Sequence, residues 1–186
     1  MRLMVQTIRA LLVLLLIATP LSAFAVDYTD KAALDELFAE LKQARTPAEA
    51  NDLTAQIWAV WFHPDVPDLA DRMAKASVAM TAGDFPTALS LFSAIVADYP
   101  DYAEGWNQRA TLYYILDNYD ASLADIDKVL ALEPRHFGAL SGRVMIYLQQ
   151  DRHADALKDM IAALAIDPYL DGKKYFPELA QNTTNV

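Results

Sequence analysis

Two phrases of the sequence share one pattern: VLALEPRH at residues 129–136 and ALAIDPYL at residues 163–170. Their prolines, Pro134 and Pro168, are separated by the same interval that separates Pro100 from Pro134. A fixed period of this size, about 34 residues, is typical of stacked supersecondary units rather than of a single globular core. Proline ends a helix because it cannot continue the hydrogen-bond ladder, so each unit closes at the same place. We therefore predict an all-α fold built from stacked antiparallel helix pairs.

Side chains of the same type recur at this interval in neighbouring units: Tyr113 and Tyr147, Leu123 and Leu157, Leu130 and Leu164, and Arg109 and Arg143. The middle unit resembles the tetratricopeptide repeat, a helix–turn–helix unit, at Trp106, Ala110, Tyr113, Ser122, Ile126 and Pro134. The resemblance implies a right-handed α-solenoid in which the first helix of each unit lines a concave groove. The chain then divides into a signal peptide, a divergent helical hairpin, three repeats, and a C-terminal cap with a frayed tail: 1–25, 26–68, 69–102, 103–136, 137–170 and 171–186.

The first 25 residues have the three-part layout of a secretory signal peptide. Arg2 and Arg9 precede an apolar run at residues 10–18, and the small-residue triplet 23–25 follows. A membrane anchor is the rival interpretation, but a spanning helix needs about 20 apolar residues and this run is shorter. We therefore predict cleavage after Ala25, a periplasmic or secreted protein, and no membrane insertion after cleavage. The chain has no cysteine, which excludes both a disulfide framework and a lipidated cysteine.

The charge balance limits the kinds of partner. The chain carries 15 Lys and Arg against 25 Asp and Glu, a formal net charge of −10. Residues 1–25 contain two arginines and no acidic residue, so cleavage would shift the net charge to −12. Nucleic acids and anionic lipids require a basic surface, so the sequence disfavours both as partners. A basic protein or a neutral peptide fits this charge better.

Two amphipathic segments precede the repeats. The first has an apolar stripe at helical spacing, formed by Leu34, Leu37, Phe38 and Leu41. Thr46 before Pro47 predicts the start of a second helix, with Glu49 completing a capping box. That second helix carries Trp58 and Trp61 on its apolar side. We expect this hairpin to cap or extend the stack of repeats.

Each of two repeats places an arginine among aromatic residues, as in WNQRA at residues 106–110. Asp125 follows Arg109 by sixteen residues, and Asp159 follows Arg143 by sixteen. This spacing would bring each pair together across the two helices of one repeat. We predict structural ion pairs, with ligand binding by the arginines as the alternative.

The resemblance places nine residues on the concave groove, three from each repeat: Met73, Ser77, Met80, Asn107, Thr111, Tyr114, Ser141, Met145 and Leu148. This adaptable, mostly neutral set suits an extended peptide or a protein partner. The short polar side chains would form hydrogen bonds with the partner's backbone. The alternative is that some of these residues, above all the methionines, pack against a neighbouring unit or a cap. The lysine and asparagine clamp by which some family members hold a C-terminal carboxylate is missing here. A chaperone tail is therefore a poor candidate ligand.

No motif for catalysis is present. His63, His136 and His153 have no partner at metal-ligand spacing and are predicted to lie at the surface or in turns. The sequence also lacks a nucleophile elbow, a phosphate-binding Gly-rich loop and a His-Glu-x-x-His helix. We predict a periplasmic scaffold or adaptor with no enzymatic activity, cofactor or metal. The alternative is an accessory subunit of an envelope enzyme or secretion complex that binds through a convex or end face, and self-association through the end faces stays open.

Overall fold

The computed structural model describes residues 28–176, apart from the Lys173 side chain. The predicted signal peptide and the tail beyond residue 176 lie outside the described residues. Eight α-helices and a short 3-10 helix follow one another, and no strand occurs between residues 28 and 176. The α-helices are α1 Lys31–Leu41, α2 Pro47–Phe62, α3 Pro67–Thr81, α4 Phe85–Asp98, α5 Ala103–Ile115, α6 Tyr119–Leu132, α7 Phe137–Gln149 and α8 His153–Ile166, and the 3-10 helix is Asp171–Tyr175.

Three helix pairs, α3–α4, α5–α6 and α7–α8, pack as antiparallel units, and α4 contacts α5 as α6 contacts α7. Small residues allow the close approach within each pair, since Ala88 and Ala156 are fully buried and Ala110 nearly so. Phe92 and Ile126 fill the space beside them. The structure is thus an all-α solenoid of stacked pairs.

The turn inside each unit uses one backbone conformation at one position of the period. Gly83, Asp117 and Asp151 occupy this position in the three successive repeats and have φ of 76°, 55° and 56°. In each case the next amide donates to a carbonyl five residues before it, as Asn118 does to Tyr113. The left-handed residue ends the first helix of the unit. One residue later the second helix begins.

The α1–α2 hairpin packs against more than the first repeat, which follows it in the sequence. Helix α2 also contacts α5 of the second repeat. Trp61 and the other apolar residues of the hairpin form one cluster with Phe137 at the start of α7. The hairpin therefore lies along the side of the stack where the repeats connect, because its tryptophans find aromatic partners there.

Local capping fixes where α2 begins. Thr46 Oγ1 accepts a hydrogen bond from the Glu49 amide at 3.2 Å, and Pro47 is the first helical residue. The Glu49 carboxylate accepts from the Arg45 amide at 2.9 Å, one residue earlier than a standard capping box requires. At the other end of the chain, Phe176 is fully buried against α7 and α8.

Candidate partner-binding groove

The first helix of each repeat presents an inner face, and two of these faces enclose a cavity. The cavity lies between α5 and α7 and has a volume of about 100 Å³. Four of the predicted groove residues line it: Asn107, Thr111, Tyr114 and Met145. The remaining lining residues are Ala110, Ser122, Ile126, Gly138, Ala139 and Gly142. No charged side chain lines the cavity, although the chain as a whole is acidic.

Small residues create this cavity. A Cβ atom on Gly142 would lie 3.8 Å from Ile126 Cδ1, which is ordinary van der Waals contact. A Cβ atom on Gly138 would instead lie 2.5 Å from the Trp58 ring, so this glycine is required for the close approach of α2. The two glycines therefore have different roles on one helix, since Gly142 leaves open space and Gly138 admits an aromatic ring.

The predicted groove residues of the first repeat lie elsewhere. Met73 has 2% of its surface exposed and packs in the core between α3 and α4, so it is not available to a ligand. Ala76 and Ala88 leave the room that its flexible side chain fills. Met80 is half-buried against the same cluster. Met73 therefore packs internally, and Met80 does so in part.

The other three predicted residues are only partly accessible or face another surface. Ser77 is half-buried and lines a separate shallow depression with Val78, Thr81 and Ala82. Ser141 is half-buried on α7, outside the lining of the α5–α7 cavity. Leu148 packs against the cluster at the C-terminal end of the stack.

Asn107 borders the cavity, but its amide group is already engaged. Its side-chain nitrogen donates to both carboxylate oxygens of Glu104, at 3.2 and 3.1 Å, and the residue is 6% exposed. Gln108 donates to the same carboxylate at 2.6 Å. Asn107 therefore helps to hold a buried charge, and its donor is not free for a ligand backbone.

The buried carboxylate of Glu104 has a further partner, His136. His136 Nε2 lies 3.0 Å from Glu104 Oε2, and both side chains are fully buried. His136 Nδ1 accepts a hydrogen bond from the Ala139 amide and thereby caps α7, so the ring proton must be on Nε2 and point at Glu104. His136 lies in the turn before α7, one of the two places that the sequence predicted, and it has no exposed surface there.

Two tryptophans of α2 close over this pair. The Trp61 ring is stacked on His136 with 4.0 Å between centroids and 7° between planes. Trp58 meets the edge of His136 at 5.5 Å and that of Phe137 at the same distance. We call the five residues beneath the α1–α2 hairpin the hairpin seat: Glu104, Arg135, His136, Phe137 and Gly138.

The two arginines of the repeats form braces. Arg109 donates from Nε and Nη2 to the two oxygens of Asp125 at 2.7 and 2.8 Å. The hydrogen bond to Asp125 raises the pKa of Arg109 above its ordinary value, outweighing the lowering by burial. Arg143 makes the same contact with Asp159, at 2.6 and 3.0 Å. All four charges are thereby paired inside the repeats.

Each brace also reaches the preceding repeat. Arg143 Nη1 lies 2.9 Å from Asp127 on α6, and Arg109 Nη1 lies 3.4 Å from the Ser93 hydroxyl on α4. Ser93 and Asp127 are one period apart, so the same geometry recurs at both interfaces. Each arginine therefore connects three consecutive helices.

Within the described part of the chain, no group of three or more His, Cys, Asp or Glu residues could hold a metal ion. Between residues 28 and 176 no helix has the length and apolar character needed to cross a membrane.

A family model described as the tetratricopeptide repeat matches residues 73–128 and 107–171, more than half of the chain. The chain belongs to the tetratricopeptide repeat family. It is similar to a TPR repeat-containing protein of Rhizobium etli, with 41% identity over 116 residues that cover 62% of this chain and 57% of that protein. It is also similar to mouse sperm-associated antigen 1, with 27% identity over 86% of this chain and 17% of that protein. The chain thus spans about half or less of these relatives.

Solved structures share the fold. The first TPR of Spaghetti (RPAP3), bound to the HSP90 peptide SRMEEVD, superposes with a TM-score of 0.58 and 18% identity, covering 66% of this chain and 98% of that one. A structure of MamA superposes with a TM-score of 0.50 and 14% identity, covering 73% and 78% of the two chains. The tetratricopeptide repeat family is one of protein-interaction scaffolds, so the family match assigns the chain to that broad class.

Sequence reasoning missed Glu104 and Gly138, yet a signal for them was present. They are one period apart and lie one helical turn before the predicted groove residues Asn107 and Ser141. The inner face therefore continues by one turn toward the start of α5 and α7, and this first turn is where α2 lies.

Proposed function

We propose that this chain is an exported adaptor that binds an extended, uncharged segment of an envelope protein between α5 and α7, with no chemistry of its own. The observation that carries the proposal is the composition of the cavity. Four predicted groove residues line it together, and no charged side chain does. Membership of a family of protein-interaction scaffolds supports a protein or peptide as the ligand.

The size of the cavity favours one aliphatic side chain as the part of the ligand that enters. Its volume is about 100 Å³, which is less than the roughly 150 Å³ of an engineered apolar cavity that holds benzene. Ile126, Met145 and the Ala and Gly residues supply apolar contacts for a side chain of leucine or valine size. The Asn107 side-chain nitrogen is bonded to Glu104, and the Thr111 hydroxyl donates to the Asn107 carbonyl at 2.9 Å. A hydrogen bond donated to the ligand therefore falls to Tyr114, and Thr111 Oγ1 is left as an acceptor.

This ligand differs in charge from the peptide held by the RPAP3 repeat. That HSP90 peptide, SRMEEVD, carries three acidic side chains. An acidic tail requires cations, and the cavity lining offers none. We therefore propose a neutral segment whose binding depends only weakly on salt.

Export to the periplasm is part of the proposal and rests on the pattern of residues 1–25. Intact-mass analysis of the protein purified from the cell envelope tests it, with a mature chain that begins at Val26 as the expected result. A chain that retains residue 1 and fractionates with the cytoplasm would contradict export.

Photo-crosslinking tests the binding site. A photoreactive phenylalanine analogue at Tyr114 should trap a partner segment, whereas the same analogue at Ile161, which is 52% exposed on α8, should not. Gly142→Leu places a leucine side chain in the cavity from α7, opposite Tyr114 on α5. This variant should abolish the Tyr114 crosslink. A crosslink that survives Gly142→Leu would place the partner outside the cavity.

One observation favours a second candidate, an accessory subunit that binds through an end face. Val78 on α3 is 69% exposed and forms a shallow apolar depression with Ser77, Thr81 and Ala82. The photoreactive analogue at Val78 distinguishes the two, because it should trap the partner only if the end face binds.

A further inference from the structure

Helix α2 occupies the first turn of the inner face of the repeats. The residues of the inner face are spaced by one helical turn; they begin at Glu104 on α5 and, one period later, at Gly138 on α7. Trp61 covers the Glu104–His136 pair, and the Trp58 ring lies where any side chain on Gly138 would be. The hairpin thus takes the place in the groove that a partner segment would take if it continued past the α5–α7 cavity.

The hairpin seat is organised by the repeats themselves. Arg135 is held by Glu133 through its Nε and Nη2 atoms, both at 2.9 Å. Glu104 accepts its hydrogen bonds from Asn107, Gln108 and His136 within the repeats, and His136 caps α7. The bonds of Glu104 and His136 thus come from the repeats alone, whereas Arg135 also pairs with Asp35 of α1.

Polar contacts between the hairpin and the repeats include two tyrosine hydroxyls and one ion pair. The Tyr102 hydroxyl donates to the Trp61 carbonyl at 2.6 Å, and the Tyr169 hydroxyl to the Ala44 carbonyl at 3.4 Å. Asp35, whose side chain is 69% exposed, pairs with Arg135 at 2.7 Å. The indole nitrogen of Trp61 is the one buried side-chain polar atom in residues 28–176 that has no hydrogen-bond partner. Ring contacts add to this attachment, since Trp61 and Trp58 contact His136 and Phe137 and the Arg135 guanidinium lies 4.3 Å from the Phe38 ring centroid.

We propose that the hairpin seat is a second recognition site, specific for an amphipathic helix with two aromatic side chains one turn apart, and that α2 is its occupant within this chain. An external helix of the same chemistry competes with α2 for the seat. The two rings have distinct receptors, since one stacks on the neutral imidazole of His136 and the other meets Phe137 over Gly138. This inference does not rest on the proposed function, although the two sites share Gly138, which lines the cavity and lies beneath the Trp58 ring.

A peptide that copies α2 tests the competition in trans. The probe is a fluorescently labelled peptide of residues 47–63, PAEANDLTAQIWAVWFH. The full chain carrying Trp58→Ala and Trp61→Ala should bind it about tenfold or more tightly than the wild-type chain, because the seat is then vacant. A peptide with both tryptophans replaced by alanine should bind neither chain. Equal binding of the probe by wild type and double variant, or equal binding of the two peptides, would overturn the proposal.

Native-state hydrogen exchange on the wild-type chain provides a second test. It does not require the double variant to fold. The amides of α2 should open as a unit and exchange about tenfold or more faster than those of α5 and α7. Exchange of α2 only at the rate of α5 and α7 would overturn the proposal. Gly142→Leu separates the two sites, since it should block the cavity ligand and leave probe binding by the double variant unchanged.

Discussion

The indole ring of Trp61 lies flat on the imidazole ring of His136, 4.0 Å away, although the two residues belong to different helical units. His136 at the same time caps α7 and donates to the buried carboxylate of Glu104. One side chain therefore connects the N-terminal hairpin, the second repeat and the third repeat. Stability and groove accessibility both depend on this contact.

Substitutions of His136 should separate its contacts. His136→Ala removes the cap of α7, worth about 1 kcal/mol, and leaves Glu104 short of a donor at about 1–3 kcal/mol. His136→Asn keeps a capping side chain, so its loss of unfolding free energy should be smaller by roughly 1 kcal/mol. Urea denaturation followed by circular dichroism measures both. Equal losses in the two variants would show that His136 contributes nothing as a cap.

The Arg109–Asp125 brace should be structural. Asp125→Ala leaves a partly buried guanidinium unpaired, and we expect a loss of about 1–3 kcal/mol in unfolding free energy. Asp127→Ala on the same helix is the matched control, since Asp127 also pairs with an arginine but its side chain is 70% exposed, and its loss should stay within about 1 kcal/mol. Partner capture by the photoreactive analogue at Tyr114 should be the same in both variants. Loss of capture with unchanged melting of Asp125→Ala would assign the brace to binding instead.

The two glycines of α7 should respond oppositely to alanine. Gly142→Ala adds a methyl group in ordinary contact with Ile126 and improves helix propensity, so stability should rise by about 0.5–1 kcal/mol. Gly138→Ala drives the new methyl group into the Trp58 ring and should lower stability by roughly 1–3 kcal/mol. Thermal unfolding measures the difference, and tryptophan emission should shift to longer wavelength only in Gly138→Ala. An unchanged emission spectrum in that variant would contradict the contact.

Alkaline pH should weaken the attachment of the hairpin through Tyr102. Burial, and to a lesser degree the neighbouring Glu104 carboxylate, raises the pKa of the Tyr102 hydroxyl above its ordinary value. The unfolded chain therefore loses this proton first, and the stabilisation is complete below about pH 10 and decreases as the pH rises further, by up to about 1.4 kcal/mol per pH unit.

Tyr102→Phe tests this assignment. It should cost about 1 kcal/mol at pH 8, because the Trp61 carbonyl loses its donor, and it should flatten the decline above pH 10. Tyr175→Phe, at a 44% exposed position, is the control and should change neither. Denaturation midpoints at pH 8 and at pH 10.5 to 11 provide the measurement. A decline of the same slope in wild type and Tyr102→Phe would assign the pH dependence to other groups.

The sequence was sufficient for features that repeat along the chain. The regular spacing of the prolines located the helix pairs, and the sixteen-residue spacing identified Asp125 and Asp159 as the partners of the two arginines. Both relationships lie within one unit, where the two helices and their connection are set by local residues. The capping pattern at Thr46 likewise located the start of α2.

The sequence could not say what covers the inner face. Met73, Asn107 and Ser141 occupy one slot of the period, yet the first is core, the second holds Glu104, and the third is half-buried on α7. The period describes the two helices of a unit and carries no information about a neighbour from outside the series. Trp61 belongs to the hairpin, which is not one of the repeats, so no repeat pattern could predict its contact with His136.

The central claim is that a neutral partner segment enters the cavity between α5 and α7. Methyl-resolved NMR of the full chain, titrated with a synthetic copy of the segment trapped at Tyr114, tests it most directly. We expect the methyl signals of Met145 and Ile126 to shift with the bound fraction, while that of Met73 in the α3–α4 core stays unchanged. A titration that shifts Val78 and leaves Met145 and Ile126 in place would contradict the account and move the binding site to the end face of α3.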